Sequence, residues 1–156
     1  MSKDSKRPKA ASRTTIAPLI PKAISNYVRD DGTHLHPVFS FAMSDDAQGC
    51  EWGWHLLNGG DAHSLVKFMR EMARLPWSEI VTATAGGHRR HHSQPITSLS
   101  SACRRRLREL ELEDLDEEIF RFRLSGAERL WGFRRNGVFY ALWWDPKHKV
   151  YPTDPN

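Results

Sequence analysis

Residues Asp145 to Tyr151, DPKHKVY, bring an imidazole, two ammonium groups and a phenol within five positions: Lys147, His148, Lys149 and Tyr151. A strand end followed by a proline-stiffened bend is a rigid mount for such groups. Histidine titrates near neutral pH and can take or give a proton. Cationic side chains stabilise the extra charge of a phosphorane-like transition state. Metal-free cleavage of RNA asks for this set: a base for the 2′-hydroxyl, a cation on the phosphate and an acid for the leaving oxygen. The competing reading is a polar loop that closes a sheet, with Tyr151 packed on it.

Three further groups carry charge in patterns that chemistry could use. Arg121 and Arg123 share one face of a segment with a period of two, and Arg129, Arg134 and Arg135 follow downstream. A basic sheet face beside aromatics such as Trp131 and Tyr140 is a platform for phosphate contact and base stacking. Cross-strand pairing of Arg121 and Arg123 with Glu117, Glu118 or Glu128 is the bland alternative. In His88-Arg89-Arg90-His91-His92, His88 and His91 are three apart, a spacing that could share a metal, but the acidic ligands needed to finish a site cannot be assigned. An exposed loop touching phosphate, or one with no function at all, suits these residues better. The run Arg104-Arg105-Arg106 with Arg108 faces the acidic stretch 109–118 and reads as a solvated helix face with i,i+4 pairs. The candidate nucleic-acid contacts are therefore Arg121, Arg123, Arg134, Lys149, His91 and His92, and neither a metal nor a cofactor is expected.

The elements that must position these groups are legible in part. Leu65, Phe68, Met69, Met72 and Leu75 form one helical face after Asp61, which can cap, and Pro76 ends the helix. Residues 77–83 suit a short helix capped by Ser78, or a strand, and the segment from Ala83 to Pro95 reads as a loop. A second helix is predicted over Ser98–Leu110, with Leu99, Cys103, Leu107 and Leu110 inward. From Ile119 the period becomes two, and Asn136-Gly137 between two β-rich runs is a strong hairpin signal. Three consecutive antiparallel strands follow, with the third apolar on both faces and therefore central, covered by helices on one side. His148–Tyr151 can add a short last strand. Upstream, Pro37 demotes His34–Met43 to an edge strand, and Glu51–Leu57 holds a short element at most. The fold class is α+β, with helices packed on a small twisted antiparallel sheet.

The chain has 156 residues, about one domain. Its net charge of +4 is unevenly spread, because residues 1–30 hold seven Lys/Arg against two Asp. Residues 1–25 are expected to be a disordered basic tail, and 26–156 a single α+β domain. No apolar run is long enough for a bilayer, and the first residues do not read as a secretory signal. Two cysteines give no disulfide framework, which fits a cytoplasmic location. No P-loop, GxGxxG, GxSxG or HExxH occurs.

The string RFRLSGAERLWGFRRNGVFYALWWDPKHKVYP resembles the C-terminal half of the RelE/ParE toxin superfamily, particularly its HigB-like members. Arg129-Leu130-Trp131-Gly132-Phe133 is similar to the family's Arg-initiated strand, Val138–Trp144 to its apolar strand, and His148-Lys149-Val150-Tyr151 to its final part. The likeness covers about residues 98–151, a third of the chain. It implies a RelE-like fold and a toxin-like, metal-independent endoribonuclease of a toxin–antitoxin or phage-defence module. Arg129, His148 and Tyr151 would act on RNA, with Lys147 and Lys149 as charge partners. The implied partners are RNA, including ribosome-bound mRNA, and a cognate antitoxin. The chain departs from the family in about 60 extra N-terminal residues and in its Trp143-Trp144-Asp145-Pro146 strand end, and some members of the superfamily poison gyrase instead. The alternative is a non-catalytic nucleic-acid-binding or adaptor protein of a mobile element.

Overall fold

The computed structural model describes residues 32–152, so the basic segment 1–25, together with 26–31 and 153–156 of the expected domain, lies outside the described residues. The Asn136-Gly137 pair has φ of +47° and +80°, as a type I′ turn requires, and joins β6 (Arg129–Arg135) to β7 (Val138–Asp145). Before them, β5 (Glu118–Arg123) pairs antiparallel with β6. These three strands are the expected meander. Two short strands complete the sheet in the order β1-β7-β6-β5-β4. Strand β1 (Val38–Ser40) runs parallel to β7, and β4 (His92–Pro95) antiparallel to β5. Pro37 precedes β1 at the sheet edge, where a missing N–H costs no ladder bond. The register of β6 on β7 shifts between Trp131 and Gly132, where a Cβ on Gly132 would run into the Tyr140 carbonyl.

Helices cover both faces of this sheet, not one. Helix α1 (Gly59–Met72) buries Leu65 and Phe68, and α2 (Trp77–Thr82) buries Trp77 and Ile80; together they meet Phe120, Phe122, Leu130, Phe139 and Trp144. Helix α3 (Ser101–Glu109) brings Cys103 and Leu107 to the opposite face, against Trp131, Phe133, Leu142 and Trp143. That double cover explains why β7 is apolar throughout, although it sits one strand from the edge and β6 occupies the middle.

Local capping differs from the sequence expectation at α1. Asn58 is the cap: its side chain accepts from the Asp61 N–H, while the Asp61 carboxylate accepts from the Asn58 N–H. Asp61 is thus the third helical residue of a capping box. The helix stops at Met72, and Pro76 instead precedes α2, where Ser78 makes no cap bond. Ser100 caps α3 through the Cys103 N–H. The segment read as a loop after Ala83 holds the hairpin of β2 (Thr84–Ala85) and β3 (His88–Arg89), and then β4. His92-Ser93-Gln94-Pro95 has little β-propensity of its own and is a strand because β5 offers it a partner. Residues 51–57 hold only a 3-10 turn, Trp54–Leu56.

A buried carboxylate ties the loop after β1 to the rest. Asp45 accepts from Arg106 Nε at 2.9 Å, Arg106 Nη2 at 2.7 Å and Trp143 Nε1 at 2.9 Å. Burial alone would raise its pKa, but the bonds from Arg106 and Trp143 outweigh that and hold it below the usual carboxylate range. The i,i+4 pairs expected on that helix do not form among the described residues: Arg106 pairs with Glu109 three residues on and with Asp45, and Arg108 pairs with Glu113 beyond the end of α3. Among the described residues, no helix is long and apolar enough to cross a membrane.

Candidate anion site at the end of the sheet

Strand pairing lines up two rows of side chains on the α3 face. Arg121 lies between His92 on β4 and Trp131 on β6, and Arg129 lies between Arg123 on β5 and Asp145 on β7. Directly opposite residues share a face, so the pleat gathers three guanidinium groups from two neighbouring strands.

Asp145 then turns the chain. Its carboxylate is fully buried and accepts three bonds: from the Lys149 N–H at 2.8 Å, the Val150 N–H at 3.0 Å and Trp131 Nε1 at 3.2 Å. The bend from 145 to 150 closes around these bonds, and the Val150 carbonyl accepts from the Ser100 N–H at the start of α3. This loop replaces the last strand expected at His148–Tyr151. His148 adopts a left-handed φ of +58° within it, and its ring turns back over the sheet.

Arg121 is the hub of the result. Its Nη1 donates to His148 Nε2 at 3.0 Å, and its Nη2 donates to His92 Nε2 at 2.7 Å, with Nε at 3.3 Å from the same atom. A guanidinium has no lone pair to offer, so both imidazoles accept through Nε2 and both are neutral. His92 Nδ1 carries its proton to the Ser93 carbonyl at 2.9 Å. The Tyr151 ring stands edge-on to His148, with centroids 6.2 Å apart.

The charges here do not balance. Among the described residues, none of Arg121, Arg123 and Arg129 forms an ion pair with a carboxylate. The Glu117, Glu118 and Glu128 pairing that would have neutralised Arg121 and Arg123 does not form. Arg129 is only 7% exposed. Its Nη1 donates to the Gly126 and Glu128 carbonyls at 2.7 and 2.9 Å, and its Nε is buried with no partner. Burial, followed by repulsion from Arg121 and Arg123, pushes its pKa down to about 10. Burial and Arg123 lower that of Arg121. Burial, then the Arg129 and Arg121 charges, lower that of His148, so its ring holds a free base to lower pH than an exposed imidazole. Three crowded, half-dehydrated cations have a carboxylate near them, Asp145, whose oxygens are taken up by Lys149, Val150 and Trp131, so an incoming anion relieves their repulsion. A phosphate offers the planar guanidinium two oxygens at once.

Several residues singled out in the sequence lie elsewhere. Lys147 is exposed and lines a separate depression with Glu51, Asn58 and Asp61, and Lys149 Nζ is 3.9 Å from Glu51 there. The bend gives Lys149 to Asp145 through its backbone and turns both ammonium groups off the arginine cluster. Arg134 projects from the other sheet face and lies 4.7 Å over the Trp77 ring. His91 is a core residue and no nucleic-acid contact. It is 2% exposed, packs on Phe68 and Phe122, and accepts from the Arg123 N–H at 3.0 Å. His88 is exposed on β3, so the two histidines three apart do not converge. Among the described residues, no three His, Cys, Asp or Glu side chains cluster in a way that could hold a metal. Asp145 had no role assigned from sequence; a lone Asp ending an apolar strand before Pro is its only signal.

Burial, then the Arg90 and Arg121 charges, drive the His91 pKa down to about 3. Its depressed folded-state value makes stability complete above the unfolded value near 6.5 and lost as pH falls from there toward 3. At pH 5 the unfolded chain gains about 2 kcal/mol from protonating this ring. Urea unfolding should therefore show wild type losing about 2 kcal/mol more between pH 7 and pH 5 than His91→Gln, whose amide oxygen can still accept from Arg123. Equal losses would place His91 in a wetter site than the core.

Comparison with protein-family models, curated proteins and solved structures finds no match to this chain.

Proposed function

We propose that this protein is a toxin-like, metal-independent endoribonuclease, and that its active site is the arginine–histidine cluster at the end of the sheet. The observation that carries the reading is the set of three guanidinium groups without carboxylate partners, one of them donating to two neutral imidazoles. An RNA phosphodiester is the anion that would use every part. Its non-bridging oxygens take the charge of Arg121, with Arg123 and Arg129 supplying field from behind. The 2′-hydroxyl needs a base, and His148 is a neutral imidazole whose cation is disfavoured by burial and by those same arginines. Tyr151, half-buried against His148, gives a flanking base a ring to stack on. Arg129, His148 and Tyr151 are also the residues that the RelE/ParE resemblance implies, and a toxin–antitoxin or phage-defence setting with a cognate antitoxin belongs to the same proposal. Lys147, which the resemblance also implied, has no part in it.

Incubating the full chain with single-stranded RNA in EDTA tests the reading. Cleavage leaving 2′,3′-cyclic phosphate and 5′-hydroxyl ends is expected. Binding without cleavage would favour the alternative, a non-catalytic nucleic-acid-binding protein, and cleavage abolished by the chelator would end the metal-free mechanism.

A further inference from the structure

The proposed chemistry leaves one step without a donor, because the departing 5′-oxygen needs a proton. We infer that His92 supplies it, acting as the general acid opposite His148; the inference rests on the ribonuclease reading of the same site. The geometry that points to His92 is the way Arg121 is shared. One guanidinium donates to two Nε2 atoms from two different nitrogens, Nη1 toward His148 and Nη2 toward His92. The imidazoles thus sit at separate corners of one planar cation. An anion that takes both of its amino groups displaces the imidazoles from Arg121 and comes to lie between them. In-line displacement at phosphorus requires that arrangement, since the entering and leaving oxygens are on opposite sides.

The two rings are not equivalent, and their mounting assigns the roles. His148 is held inside the bend made by Asp145. His92 sits on the edge strand β4, part-exposed and within reach of water. Its Nδ1–H is fixed on the Ser93 carbonyl, so the nitrogen that gains and loses the working proton is Nε2, the one aimed at Arg121. Once the phosphate has displaced both rings from Arg121, His92 Nε2 is free to take a proton from water. In the step itself, the 2′-hydroxyl proton passes to His148 Nε2 as O2′ bonds to phosphorus. The P–O5′ bond breaks, and O5′ takes the proton from His92 Nε2. The products are a 2′,3′-cyclic phosphate and a 5′-hydroxyl, with His148 left protonated and His92 neutral; exchange with water resets both.

A substrate that needs no acid separates this role from a merely structural one. With ordinary RNA, His92→Ala is expected to lower kcat by about 10²–10⁴-fold with little change in KM. With RNA carrying a bridging 5′-sulfur at the scissile position, whose thiolate leaves unprotonated, His92→Ala should recover to within about tenfold of wild type, and a His148 variant should not. His92→Gln keeps an acceptor for Arg121 and should remain as slow as His92→Ala on ordinary RNA. Full activity in His92→Gln, or no rescue by the sulfur substrate, would overturn the acid role and leave the ribonuclease reading standing. A wild-type protein that cleaves neither substrate would overturn both.

Discussion

His148→Asn should cut the RNA-cleavage rate by about 10²–10⁴-fold while the protein remains folded and still binds RNA. The choice of Asn matters. His148 has a φ of +58°, a left-handed conformation in which Ala carries a strain that Asn tolerates far better. An Ala variant would therefore mix a loosened bend with a missing imidazole. Asn preserves the bend and leaves Arg121, Arg123 and Arg129 in place, so the phosphate field survives without the base. Single-turnover cleavage at saturating protein, beside RNA anisotropy titrations and an unfolding curve, reads the three quantities separately. Wild-type turnover in His148→Asn would remove the imidazole from the mechanism. A joint collapse of binding and stability would mean that the ring is chiefly a strut.

Much of this arrangement was legible because its signals are local. The Asn136-Gly137 turn, the alternation at Ile119–Arg123 and the helical stripe at Leu65 and Phe68 are set by neighbours a few residues apart. Strand alternation alone put Arg121 and Arg123 on one face. What stayed hidden depends on partners far along the chain. His92 becomes a strand residue only beside β5, and His91 is in the core only because Phe68 and Phe122 enclose it. The adjacency of His91 and His92 suggested one shared role, but the pleat sends successive side chains to opposite faces. Lys147 is next to His148 in the sequence, yet a turn separates neighbours as readily as it joins them. Nothing in the composition around residue 145 shows that a carboxylate there collects two backbone donors and an indole.

That carboxylate couples stability to chemistry. Asp145→Ala would leave the Lys149 N–H, the Val150 N–H and Trp131 Nε1 without their acceptor in a site closed to water. A loss of about 3–5 kcal/mol in unfolding free energy is expected, with cleavage activity falling to background as the bend releases His148. Asp145→Asn is the finer probe, since its amide oxygen can keep the Val150 and Trp131 bonds while the Lys149 N–H loses its acceptor. It should fold with a smaller penalty, and it also deletes a negative charge. Asp145 works against Arg129 and Arg121 by favouring the His148 imidazolium. Without it the His148 pKa should fall further, so the acid limb of the kcat/KM profile of Asp145→Asn should move to lower pH than in wild type. A limb moving to higher pH would mean that Asp145 does not act electrostatically on His148, and an Asp145→Ala protein as stable as wild type would mean that water already shares the bend. The same buried charge that closes the fold thus sets how strong a base the site can present.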